Sequence, residues 1–202
     1  KSLFQPNYRA WMAFSNVPGG RMDRSHALFR PQPLIRFARE FFGNSRLESL
    51  KIKTVFQATD FSTGEGLGLD HGDLVSALYA SSAIYPFLPP IEIDGRYLFD
   101  GLYSAPVPIL QAIRRNPDVI IVLDFLEQLQ DNPKGPMESM MHLSKLYAKT
   151  IIGYQMALSV DLQQAEIVWM KVKFDHYLTI HDTDKLPMIL EAGEKALGRI
   201  RP

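Results

Sequence analysis

There is no cysteine anywhere in the 202 residues. Disulfides, thiol nucleophiles and thiolate zinc sites are therefore excluded, and the absence fits a cytoplasmic protein. Charge of one sign is missing too, since Lys plus Arg and Asp plus Glu both number 22. A zero balance argues against nucleic acid, whose binders usually carry a basic face. The neighbouring Arg21, Arg24, Arg30, Arg36 and Arg39 read as solvated helix and loop charge. No apolar run reaches the roughly 20 residues of a membrane span. The opening "KSLFQPNYRAW" lacks the apolar stretch of a signal peptide. It also lacks an initiator Met, which reads as a piece of a longer protein.

Two motifs are also absent. No serine sits in the G-x-S-x-G elbow of serine hydrolases on doubly wound sheets. Ser62 precedes Thr63-Gly64, Ser81-Ser82 fall in a helical pattern, and Ser104 follows an Asp-Gly pair. "GEGLGLD" is too short for a phosphate loop and has no Lys-Ser/Thr. Among His26, His71, His142, His176 and His181 no pair has metal-ligand spacing. His176 and His181, with Asp175, Asp182 and Asp184 nearby, read as a charged surface loop. No metal is expected.

What is present is globular composition, 46% apolar and 22% charged, enough for one domain with a real core. Residues 1–33 are turn-rich. Residues 34–43 space Leu34, Phe37, Ala38 and Phe41 as a helix, with Gly43 as its cap. "KTVFQATDF" (53–61) predicts a buried strand, "STGEG" a turn, and "LGL" a candidate return strand. Residues 71–84 predict a helix with Asp73 near its start. "PPIEIDGRYLFDG" predicts a hairpin turning at Asp94-Gly95. "PILQAIRRN" predicts a short helix. "DVIIVLDF" (118–125) predicts a parallel strand covered on both faces. A long helix follows from about Pro136 to Ala165, its Met140, Leu143, Tyr147, Ile151, Tyr154, Leu158 and Leu162 stepping by three and four. Its methionines read as core gap-fillers. "EIVWMKVKF" predicts a strand and "KLPMILEAGEKALGRI" a final helix. Strands alternating with helices predict an α/β fold with a mainly parallel sheet.

Asp100 is the candidate catalytic group. It follows "YLF" at a strand end, where α/β folds place functional groups. Asp-Gly is equally a common turn pair, and local chemistry leaves both readings open.

The order of the pieces adds a resemblance. "ATDFSTGEG", then "LVSALYASSAIYPFLPPIEIDGRYLFDGLYSAPVP", then "DVIIVLDF" resembles the later part of a patatin-like phospholipase domain, over about residues 50–200. The resembling pieces are Thr59-Asp60, Thr63-Gly64-Glu65, Ala80 to Ile84, Pro89-Pro90 and Asp100-Gly101. Leu102 stands where that family carries Gly or Ala, and Ile84-Tyr85-Pro86 where it carries Ile-Pro-Gly.

The resemblance implies a three-layer α/β fold with a mainly parallel central sheet. It makes residues 1–202 the C-terminal part of one such domain, with the N-terminal strands missing. It also implies a lipid acyl hydrolase using a Ser-Asp dyad without a cofactor. This chain would supply Asp100, in the motif Asp100-Gly101, and lack the serine and the glycine-rich oxyanion loop, so alone it is expected to be inactive. The implied partners are a lipid ester and, peripherally, a membrane surface. Self-association is expected through a sheet edge left open at "TVFQATDF" or "DVIIVLDF". The alternative is a non-catalytic relative that binds lipid or a partner.

Overall fold

The structure is a computed structural model and describes residues 27–126, 133–162, 166–174 and 183–198. The chain divides into two compact units, Lys1–Pro106 and Val107–Pro202.

The first unit begins with α1 (Gln32–Phe42), which has a proline in its first turn and ends on Gly43 at φ +54°. Proline fits a first turn because the N–H it lacks has no partner there, and glycine tolerates the terminal conformation. Next come β1 (Phe56–Asp60), β2 (Gly66–Leu69), α2 (Leu74–Ala80), β3 (Ile91–Ile93) and β4 (Arg96–Asp100). Asp73 caps α2, accepting from the Ser76 N–H at 2.9 Å. Its carboxylate also accepts from both terminal nitrogens of the Arg39 guanidinium, Nη1 at 2.6 Å and Nη2 at 2.8 Å, tying α1 to the start of α2. Arg39, read as a solvated charge, is thus half of a bidentate pair. The helix is shorter than the predicted 71–84, and Ser81 and Ser82 lie in the turn beyond it.

The strands form one antiparallel sheet in the order β2-β1-β4-β3. α2 packs on one face through a core of Ala58, Ala80 and Leu98, with Leu67, Leu69, Ile91 and Ile93 around it. Two alanines at the centre let helix and sheet approach closely. Burial of Leu98 contributes about 1.5–3 kcal/mol. Tyr79, also buried, donates its hydroxyl to the Pro89 carbonyl at 2.7 Å.

The second unit holds α3 (Ile109–Ile113), β5 (Val119–Leu126), α4 (Gly135–Leu162), β6 (Glu166–Lys173) and α5 (Leu186–Gly198). β5 and β6 pair in parallel, from Val119 opposite Glu166 to Leu126 opposite Lys173. The core here is Ile109, Ile120 and Val122, with Trp169 packed on it. Trp169 donates its indole N–H to the buried Asp124 carboxylate at 3.2 Å.

Helices and sheets are mixed as expected for α/β, but the mainly parallel central sheet is corrected. The larger sheet is antiparallel, and among the described residues only β5 and β6 run parallel. For the β1–β2 and β3–β4 pairs the reason is connection length. A parallel pair needs a crossover of a dozen residues or more. β1 meets β2, and β3 meets β4, through turns far too short for that, whereas α4 stands between β5 and β6.

Coverage also differs from expectation. β1 has a neighbour on each side, so "TVFQATDF" is no open edge. β5 pairs only with β6 among the described residues, and one of its faces is bare. Val119, Ile121, Leu123 and Phe125 are 48, 67, 50 and 54% exposed. The apolar stripe of α4 is exposed at Leu143, Tyr147, Tyr154 and Leu158, and Met140, read as a core gap-filler, is exposed as well. Period identifies an apolar face; it does not supply the element that covers it. No helix among the described residues is long and apolar enough to cross a membrane.

Candidate active site

β4 delivers Asp100 and ends there. The residue stands opposite Ala58 of β1, but its N–H is donated to the Ala83 carbonyl at 3.2 Å, after α2. It caps the single 3-10 turn Gly101–Tyr103, and its Oδ1 accepts from the Leu102 N–H at 2.8 Å. Burial pushes the carboxyl up to about 6, and the Leu102 hydrogen bond opposes that rise. Removing a carboxylate from water disfavours its charged form. Among the described residues no cation pairs with it and no serine hydroxyl bonds to it.

Gly101 shows why this pair differs from an ordinary turn. Its φ is not left-handed. What it lacks is room, because a Cβ there would collide with the Gln57 carbonyl oxygen. Leu102 lies in the 3-10 turn with φ below zero, so its size is accommodated.

The preceding strand residue, Phe99, faces the other side of the sheet, opposite Thr59. There Phe99 meets Phe61 edge-on at 5.4 Å and Tyr103 face-on at 5.0 Å. Phe61 also meets Tyr85 at 5.1 Å, and Tyr103 donates its hydroxyl to the Tyr85 carbonyl at 3.0 Å. Aromatic contacts of this kind stiffen the turn that follows Asp100.

Beside these rings lies a polar cluster that sequence reasoning did not assemble. Thr59 Oγ1 donates to the Asp100 main-chain carbonyl at 2.8 Å and lies 2.7 Å from Ser104 Oγ. Gln57 Nε2 donates to Ser104 Oγ at 3.2 Å. A signal existed: Gln57 and Thr59 alternate within a strand predicted to be buried, so two polar groups had to share one interior face.

The other singled-out groups take no part. Asp60 closes the β1–β2 turn, accepting from the Ser62 and Thr63 N–H groups at 2.8 and 3.0 Å. Those bonds hold its carboxyl below the usual range. Arg96 joins Glu65 at 2.8 Å. Arg21, Arg24, His26, Asp175, His176, His181 and Asp182 lie outside the described residues, as does the predicted end of the long helix at Ala165. Among the described residues no group of acids and histidines could hold a metal ion.

A family model described as "Patatin-like phospholipase" matches residues 2–113, more than half of the chain, including Asp100-Gly101. An uncharacterized NTE family protein of Mycobacterium bovis is 31% identical over 98 residues, which is 48% of this chain and 27% of that protein. Two uncharacterized NTE family proteins of Mycobacterium tuberculosis strains match to the same extent. The match thus spans about a quarter of the length of these curated relatives.

Proposed function

The chain belongs to the patatin-like phospholipase family, and on that premise we propose that it is the aspartate-bearing part of a lipid acyl hydrolase. Asp100 is the base of a Ser-Asp dyad whose serine comes from outside this sequence. The substrate is a carboxylic ester of a lipid, met at a membrane surface. The observation carrying this reading is Asp100 at a strand end, half-buried, with its carboxyl raised to about 6 by partial loss of water. A serine hydroxyl is a weak nucleophile until a neighbour takes its proton. A carboxylate of ordinary acidity holds that proton poorly. One titrating nearer neutral pH is better matched to the transfer.

The sequence of events balances without another co-reactant. Asp100 accepts the serine proton as the oxygen attacks the ester carbon. It returns that proton to the departing alcohol oxygen, leaving an acyl-serine. Water then attacks, giving its proton to Asp100, and the serine leaves with that proton as the carboxylic acid forms. In the full-length protein, Asp100→Asn is expected to lower kcat on a soluble acyl ester by about 10²–10⁴-fold. A near-normal kcat would reduce Asp100 to a turn residue. The kcat/KM of the unaltered protein should rise with pH through about 6, as Asp100 becomes charged.

The proposal includes self-association through β5. Its support is the four half-exposed apolar side chains on one face and an edge with no partner among the described residues. Bare strands of that kind pair with other chains. Light scattering over a concentration series should show oligomers, and a monomer throughout would remove this part of the reading.

A further inference from the structure

We propose that Gln57, Ser104 and Thr59 form a one-directional hydrogen-bond relay that positions Asp100 for catalysis through its main chain, a role that rests on Asp100 being the base. Proton counting sets the direction. Thr59 has one hydroxyl proton, and the Asp100 carbonyl takes it at 2.8 Å. The 2.7 Å contact between Thr59 and Ser104 must therefore use the Ser104 proton. Ser104 in turn accepts from Gln57 Nε2 at 3.2 Å. The amide orientation follows as well, because Nε2 also faces the Ala58 carbonyl at 3.3 Å. The relay runs from Gln57 to Ser104 to Thr59 and ends on the Asp100 carbonyl.

Its place explains what it holds. The Asp100 N–H is engaged by Ala83, and its carbonyl by Thr59. Both main-chain groups of the residue are thus tethered by partners outside the ladder. Ser104 closes the turn that Asp100 opens, its N–H reaching the Gly101 carbonyl at 3.2 Å. Two glycines make room. A Cβ at Gly66 would lie 2.8 Å from Gln57 Nε2 and 3.0 Å from Ser104 Oγ, and one at Gly101 would strike the Gln57 carbonyl.

Packing alone does not account for Gln57. It is 7% exposed, and its Oε1 is buried with no hydrogen-bond partner. A methionine would fill similar space without that cost. An unmade bond kept in a core calls for a reason beyond stability, and donation to Ser104 supplies one.

The test uses the full-length protein and four variants, with Asp100→Asn in parallel. Thr59→Val should lower kcat about 10- to 100-fold with KM nearly unchanged, since small displacements of a reacting group are costly. Thr59→Ser keeps the hydroxyl and should restore most of that loss. Exchange of the Leu102 amide hydrogen should quicken about tenfold in Thr59→Val and Ser104→Ala. Gln57→Met should keep Tm while lowering kcat, a combination that a purely structural role does not produce. If Thr59→Val fails to fold, Ser104→Ala carries the same kinetic and exchange readouts. Normal kcat and normal Leu102 exchange in these variants, with Asp100→Asn inactive, would overturn the relay alone. Full activity in Asp100→Asn would instead remove the base, and the relay's catalytic role with it.

Discussion

Two Asp-Gly pairs, six positions apart on one hairpin, meet opposite physical demands. Asp94-Gly95 joins β3 to β4 with both residues left-handed, at φ 51° and 77°. That is the backbone twist a two-residue hairpin turn needs, and both residues are exposed. Asp100-Gly101 ends the same strand with no left-handed residue. There the glycine is required for space against Gln57, and the aspartate is half-buried with its acidity weakened. The first pair is chosen for conformation. The second is held by tertiary packing at a stability cost, at the residue proposed above as the base.

The comparison breaks most sharply on activity. The loss of about 10²–10⁴-fold expected for Asp100→Asn has no counterpart at the turn. Asp94→Asn should leave kcat unchanged, because Asn also tolerates a left-handed backbone. Equal losses in the two variants would show that fold, not proton transfer, had been damaged.

The glycines should separate next. Gly101→Ala forces backbone to move inside the sheet and should cost about 3 kcal/mol, the upper end for overpacked core sites. Gly95→Ala meets no neighbouring atom and pays only for its left-handed φ, about 1–2 kcal/mol. Urea denaturation of both variants measures the difference.

A smaller effect sharpens the electrostatic half. Above about pH 6 the folded protein holds Asp100 charged in a partly desolvated setting, while below about pH 4 the group is neutral folded or unfolded. Between these limits the folded state binds more protons, so this contribution to stability falls as pH rises. Asp100→Asn should therefore stabilise the protein by about 1–3 kcal/mol at pH 7–8, and the gain should vanish near pH 4. Asp73 runs the other way. Arg39 and the start of α2 hold its carboxyl at about 2, so its contribution is present at neutral pH and is lost as pH falls from about 4 toward 2. Asp94→Asn should be the smallest change, within about 0.5 kcal/mol.

Much of this fold was legible because its signals are local. Gly43 as a cap, Asp73 at a helix start, the Asp94-Gly95 turn and the strand composition of "KTVFQATDF" each follow from a few adjacent residues. The parallel sheet was misread because sequence pattern identifies strands but not their direction, which short connections fix for the β1–β2 and β3–β4 hairpins and tertiary pairing decides for β1 and β4. The bare faces of β5 and α4 were misread because an apolar pattern implies burial without naming the covering element. At the site, Asp100-Gly101 was visible as a motif, while the relay beside it was not. Gln57 and Ser104 stand 47 positions apart, and nothing in either neighbourhood announces the other.

The sequence by itself determined which segments become helices and strands, where the turns fall, and that a carboxylate stands at the end of the fourth strand. Those outcomes rest on backbone preferences and periodicity, which act over a few residues. Only the tertiary structure decided that β1 and β4 run antiparallel, that Asp100 is buried enough to hold its proton to about 6, and that a threonine on one strand grips its carbonyl. Strand pairing, desolvation and hydrogen bonding between distant residues arise when the chain closes on itself. They depend on which surfaces lose water together.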